Sequence, residues 1–244
     1  MRVSKIPLNI RGSSKRVKIS EIFHSIQGEG ALVGVPSVFV RTSGCNLRCT
    51  WCDTPYTSWQ PEGDERSVSS IVDEVRGHGA SHVVITGGEP MIAPQIEELT
   101  EELAERLKPH ITIETAGTVD AQVRCDLMSI SPKLANSVPH TRENGRWADR
   151  HERLRYQPEI LRRLIQLYAY QLKFVIAEPG DVQQVNAIVA DIGASRSRVV
   201  LMPEGVDAAT LAERGRWLAD IAKQEGFRMT PRMHIDLWGN RRGV

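Results

Sequence analysis

The feature that most constrains this chain is an alternation of strand-like and helix-like segments. Short runs rich in Val and Ile predict strands at 37–42 (SVFVRT), 82–86 (HVVIT), 110–114, 126–130, 171–176 and 198–202. Branched side chains fit a pleated surface, and each run ends on turn or polar residues. Helical spacing lies between them. Residues 67–76 set Val68, Ile71, Val72 and Val75 on one face behind a Ser cap. Residues 94–107 do the same with Ile96, Leu99, Leu103 and Leu107, and Pro94 stands at the start, where its missing N–H does no harm. The pattern returns at 158–167, 182–190 and 211–223. Strand, amphipathic helix, strand predicts parallel pairing through helical crossovers.

At roughly 150 residues per domain, 244 residues allow one large domain or two small ones. Neither a repeat nor a Pro/Gly-rich linker divides the chain, so a single domain over 19–244 is expected behind a basic arm over 1–18. Residues 1–20 carry six basic side chains and no acid. The hydrophobic fraction of 41% and charged fraction of 25% are those of a globular protein and exclude a disordered one. A net charge of +1 argues against a nucleic-acid partner. Apolar runs are too short for a membrane span, and residues 1–20 lack the apolar stretch of a secretory signal. A cytoplasmic, reducing location is expected, where disulfides are rare. The polar, charge-dense stretch 139–155 reads as a surface excursion.

Four cysteines therefore need another explanation. Cys45, Cys49 and Cys52 stand in a C-x3-C-x2-C spacing on one short loop, so all three thiolates can face one centre. Cys125 heads an apolar run and reads as a small buried hydrophobe. Structural zinc wants four closed ligands, and an iron–sulfur cluster normally takes four thiolates. Three leave a position open, as reactive metal sites do. Structural zinc completed by a nearby His, or an iron–sulfur carrier without enzymatic activity, are the competing readings. Residues 86–90 (TGGEP), 114–117 (ETAG) and 131–133 (SPK) follow successive predicted strands, where a parallel barrel collects its functional groups. Two glycines at a strand end let backbone approach a ligand closely.

The cysteine spacing, with Trp51 before the last cysteine, resembles the radical S-adenosylmethionine superfamily. TGGEP resembles the element that holds the methionine amino group there. Within that superfamily, residues 21–30 (EIFHSIQGEG), Gly34, Pro36, Arg41 and residues 234–244 (HIDLWGNRRGV) resemble the 7-carboxy-7-deazaguanine synthase family, with likeness from about residue 19 onward.

The resemblance implies an α/β fold, an abbreviated (β/α)6 partial TIM-type barrel. It implies a radical ring contraction of 6-carboxy-5,6,7,8-tetrahydropterin with loss of ammonia, assisted by Mg2+. A 4Fe–4S cluster on Cys45, Cys49 and Cys52 would bind S-adenosylmethionine at its open iron and cleave it on reduction. Trp51, Cys52, Asp53, Gly88, Glu89, Glu114, Ser131, Pro132 and Lys133 would contact S-adenosylmethionine. Ile26, Gln27, Gly28, Glu29, Arg41, Thr86 and His234 would contact the substrate, Glu29 taking the pterin's amino and ring N–H and Arg41 its carboxylate. Thr54 would hold Mg2+. A homodimer and a flavodoxin- or ferredoxin-type electron donor are also implied. The competing enzyme is a glycyl-radical activase, which shares the cysteine motif but has no use for residues 27–30 or Arg41.

Overall fold

The first long strand, β1 (Arg16–Ile26), alternates its side chains so that Val17 and Ile19 are buried. It pairs antiparallel with β2 (Pro36–Thr42). The chain then crosses the cysteine loop and a single-turn helix, α1 (Pro55–Ser58). It returns as β3 (Asp64–Ser67), antiparallel to β1 on the other side. This computed structural model describes residues 16–244. The expected boundary of the arm after residue 18 moves earlier, because Arg16, Val17 and Lys18 already pair with Ser67, Arg66 and Glu65. Residues 1–15 lie outside the described residues.

From β2 onward the pairing is parallel. Helix α2 (Val68–His78) leads to β4 (His82–Gly87), and α3 (Ile96–Arg106) leads to β5 (His110–Thr115). No helix intervenes before β6 (Leu127–Ile130). Helices α4 (Ala148–Arg155) and α5 (Pro158–Leu167) precede β7 (Tyr170–Ile176), and α6 (Asp181–Ile192) precedes β8 (Val199–Pro203). Helix α7 (Ala208–Glu225), a two-residue β9 (Arg228–Met229) parallel to β8, and α8 (Met233–Trp238) finish the chain. The six predicted strands are the parallel arc β2-β4-β5-β6-β7-β8 of an open sheet with β3 and β9 at its edges. This is the abbreviated (β/α)6 partial barrel, short of one crossover helix.

Local chemistry sets the helix limits. Ser67 caps α2 by accepting from the Ser70 N–H at 3.2 Å, and Gly79 ends it in the left-handed region. Asp207 caps α7 by accepting from the Thr210 N–H at 2.9 Å. Alternate strand residues divide between two faces. Val38, Val40, Val83, Ile85, Ile111, Ile113, Leu172, Phe174 and Leu201 join the helices in one continuous apolar core. Their neighbours in sequence face the interior of the arc. No described helix is long and apolar enough to cross a membrane.

Candidate active site

The inward residues of the arc open into a cavity of about 460 Å³ at the C-terminal ends of the parallel strands. Phe39 and Arg41 of β2, Thr86 of β4, Glu114 of β5, and Lys173 and Val175 of β7 line it. Each is offset by one from a core residue, as period-2 alternation requires. The stacked rings of Phe23 and Phe39, with centroids 5.1 Å apart, supply an apolar wall.

The cysteine loop forms one side of this cavity. Cys45, Cys49 and Cys52 line it, and all three are free thiols. Backbone bonds fix the loop from several directions: Ser43 N–H donates to Lys18 O (2.9 Å), Gly44 N–H to Thr57 O (2.8 Å) and Thr50 N–H to Ser137 O (2.8 Å). The TGGEP turn holds it too, with Gly88 N–H on Thr42 O (3.2 Å) and Glu89 N–H on Gly44 O (2.9 Å). A Cβ on Gly88 would stand 2.1 Å from Gly44 O. The glycine expected to admit a ligand is thus required first by the cysteine loop itself. Glu89 braces the same turn. Its carboxylate is buried, accepts from Met91 N–H, the Thr115 hydroxyl and Ala116 N–H, and does not line the cavity. Burial raises its pKa against those three bonds.

The donor set fits an iron–sulfur centre. Burial pushes the thiols of Cys45 and Cys49 up to about 12, so they stay protonated until a strongly positive centre displaces the proton. Three cysteines from one loop on one cavity suit a cluster that keeps one iron open. Cys125 is outside the cavity, packed against the core.

The opposite side is a buried ionic network. Glu29, in the turn after β1, meets the Lys173 ammonium and, at 3.0 Å, the Arg232 Nε. Lys173 also lies 3.7 Å from Glu114, and Arg232 joins Glu29 to Asp53. Burial alone would raise the Glu29 pKa, but Lys173, Arg232 and His234 outweigh it and hold the carboxyl far below its usual range. Lys173 and Arg232 are correspondingly held in their charged forms by these carboxylates against the effect of burial. Gln27 donates to Glu114 (3.3 Å) and accepts from Glu29 N–H (3.1 Å), and the Thr86 hydroxyl donates to Glu114 (2.8 Å). Helix α8 locks this corner: Met233 N–H donates to Gly28 O at 3.0 Å, and a Cβ on Gly28 would lie 2.2 Å from His234 Nδ1. His234 Nε2 stands 3.9 Å from Glu29.

Residues 139–155 are not the detached surface excursion their polarity suggests. His151 is 1% exposed and accepts from Arg48 N–H at 3.0 Å through Nδ1, while Nε2 meets the Ser137 hydroxyl at 2.9 Å. Since Ser137 donates to Leu134 O, Nε2 carries the proton. Arg155, also buried, donates to Lys133 O at 3.1 Å. The segment is a clamp on the back of the cysteine loop.

Residues 39–156 match the family model of the Radical SAM superfamily. A 7-carboxy-7-deazaguanine synthase of Rhodopirellula baltica is 43% identical over 242 residues, covering 99% of this chain and 94% of that protein. One from Halobacterium salinarum is also 43% identical, over 94% of this chain and 93% of its own. The chain belongs to the 7-carboxy-7-deazaguanine synthase family. The crystal structure of QueE from Escherichia coli superposes with a TM-score of 0.67 at 25% identity, over 90% of this chain and 95% of that one. As a member of the radical S-adenosylmethionine superfamily, the enzyme carries a 4Fe–4S cluster and uses S-adenosylmethionine.

Of the residues expected from the sequence, the structure gathers Ile26, Gln27, Gly28, Glu29, Arg41, Trp51, Asp53, Thr54, Thr86, Gly88, Glu114, Ser131, Lys133 and His234 around one cavity with the three cysteines. Pro132 and Glu89 are not among the residues that line it. Lys133 donates to Ser131 at 2.9 Å and lies over the Trp51 ring at 5.5 Å. Lys173 and Arg232 were missed. A lone charge inside the apolar run QLKFVI was the available sign for Lys173. Arg232 had no comparable local sign. The tail also reaches the site: Asn240, Arg241, Arg242 and Val244 line the cavity.

Proposed function

We propose that the protein converts 6-carboxy-5,6,7,8-tetrahydropterin to 7-carboxy-7-deazaguanine and ammonia, as the names of its relatives and the shape of its cavity suggest. The observation that carries this reading is a buried, ionised Glu29 in the same cavity as the three-cysteine loop. The cluster and S-adenosylmethionine, when bound, supply the radical chemistry, held by Cys45, Cys49 and Cys52. The chain's own residues bind and orient the pterin. A carboxylate has about four lone-pair sites, so Glu29 can keep Lys173 and Arg232 and still accept two N–H groups from the pterin edge. Arg41 bonds Glu21 through Nε at 2.6 Å, and its terminal nitrogens, without a protein partner among the described residues, suit the substrate carboxylate.

Thr54 lines the cavity beside Cys52 and offers Mg2+ a hydroxyl oxygen, with Sγ and Oγ1 3.9 Å apart. Asp53, ion-paired with Arg232, would lie beside S-adenosylmethionine. The enzyme would act in the cytoplasm as a homodimer, reduced by a flavodoxin- or ferredoxin-type protein. Anaerobic reconstitution with iron, sulfide and S-adenosylmethionine, followed by incubation with the carboxytetrahydropterin under dithionite, tests the reading. Product of the mass of the substrate less ammonia is expected. Cleavage of S-adenosylmethionine without that product would refute it.

A further inference from the structure

The three sulfurs of the cysteine loop do not have equal surroundings. Cys45 Sγ accepts from Leu47 N–H at 3.4 Å, and Cys49 Sγ has no donor among the described residues. Cys52 Sγ meets the Ser58 hydroxyl at 3.2 Å, the one close side-chain contact on any of them. The Thr54 hydroxyl, at 3.9 Å from the same sulfur, is too far for a strong bond. Ser58 is only 3% exposed, and Cys52 is the sole partner of its hydroxyl among the described residues. A helical serine often turns its hydroxyl back onto the carbonyl four residues earlier. Here that carbonyl is taken: Thr54 O accepts from the Thr57 N–H and the Thr57 hydroxyl, both at 2.9 Å.

Both neighbours of Ser58 are tied to the cysteine loop. Thr57 O accepts from Gly44 N–H at 2.8 Å, and the Trp59 indole donates to Cys49 O at 3.0 Å. A Cβ on Gly88 would come within 2.7 Å of Thr57 O, so the TGGEP turn closes on the same helix. The backbone that carries Ser58 is thereby fixed against the loop that carries Cys52.

In the free protein either atom can donate, because thiol and hydroxyl each hold a proton. A thiolate bound to iron can only accept, so the hydroxyl becomes the donor. The potential of an iron–sulfur centre depends on hydrogen bonds to its sulfurs as well as on charge and exposure. Such a bond strengthens as the sulfur gains electron density, and so favours the reduced form.

We infer that Ser58 is a positioning residue for the iron–sulfur centre, its hydroxyl donating to Cys52 Sγ and raising the potential at which the centre accepts an electron. This rests on the ligation proposed above and asks nothing of the substrate. One electron enters from an external low-potential reductant, the hydroxyl keeps its proton, and no covalent bond is made or broken. Of the two sulfur contacts, the Leu47 N–H belongs to the backbone, so Ser58 is the one a substitution can remove.

The test uses the reconstituted full chain without S-adenosylmethionine or substrate, titrated anaerobically with dithionite and viologen mediators and followed by electron paramagnetic resonance. Ser58→Ala keeps the volume close and removes the oxygen. It should bind full iron, while its equilibrium constant for reduction falls about tenfold, a drop of about 60 mV at 59 mV per tenfold for one electron. Ser58→Thr restores a hydroxyl and should restore the potential. After exchange into D2O, the reduced centre of the unaltered protein should show a hydroxyl deuteron coupling that Ser58→Ala lacks. A purely structural serine would change iron content or stability and leave the potential alone. An unchanged potential in fully loaded Ser58→Ala, loss of iron in that variant, or no such coupling in the unaltered protein would overturn the inference. Full iron in Cys52→Ala would instead strike the ligand assignment beneath it.

Discussion

Lys173 and Glu29, 144 residues apart in sequence, form an ion pair in the interior of the arc, with both side chains nearly shielded from water. The acid proposed to recognise the substrate is therefore also a structural counter-charge. Removing one member of a buried pair leaves the other uncompensated, which typically costs about 3–5 kcal/mol.

Glu29→Gln should accordingly do two things. Chemical denaturation should show a loss of several kcal/mol of stability, on the order of that range. Substrate affinity should fall by tens to thousands of fold, from about 2–5 kcal/mol for a lost charge-assisted partner at 1.4 kcal/mol per tenfold. S-adenosylmethionine affinity should change little. Adding Lys173→Met should recover part of the stability and none of the substrate affinity, a non-additivity that a double-substitution cycle reads directly. Recovery of both would reduce Glu29 to a structural acid.

Acid should loosen the clamp. Burial pushes the His151 pKa down to about 4, Arg155 and Lys133 act in the same direction, and Glu152 opposes them. A histidine bound neutral in the folded state takes up a proton more readily when unfolded. Between its usual 6.5 and about 4 the unfolded chain holds more protons, so stability falls as pH drops through that window. Thermal unfolding of the cluster-free protein at stepped pH should show this acid limb, and His151→Gln should flatten it. An unaltered limb in that variant would place the titration elsewhere.

Thr54→Val keeps the shape and removes one oxygen. It should leave iron content and S-adenosylmethionine affinity intact while abolishing most of the tightening of substrate binding by Mg2+. Undiminished stimulation would show that the ion sits away from Thr54.

Cys125→Ala should retain full iron after reconstitution, since Cys125 packs against the core and is absent from the cavity wall. Cys49→Ala should lose the cluster. Iron loss in the first variant with retention in the second would reverse the ligand assignment.

The parallel arc was legible because one face of each strand packs into the core and so carries Val, Ile, Leu, Met or Phe at alternate positions. Strand β3, reading Asp-Glu-Arg-Ser with its first two residues exposed, gave no such sign and was found only through its pairing with β1. The cysteine loop and its strand-end turns were legible because their spacing is local. The partners of those turns were not. Gly88 faces Gly44 O, Glu89 secures the β5 turn, and Arg232 bridges Glu29 and Asp53 across 203 and 179 positions. The clamp was misread for a related reason: its sequence is polar because it contacts backbone groups and indoles, and polarity alone cannot separate that from contact with water.

The lock of α8 onto the turn after β1 has a consequence for how the protein comes into being. Gly30 N–H donates to the Thr230 hydroxyl across 200 residues, and Met233 N–H reaches back to Gly28 O. During synthesis the cysteine loop, its glycine brace and its clamp all emerge well before the segment that completes pterin recognition. A nascent chain could therefore acquire its reactive centre while still blind to substrate, and selectivity would arrive as the final event of folding.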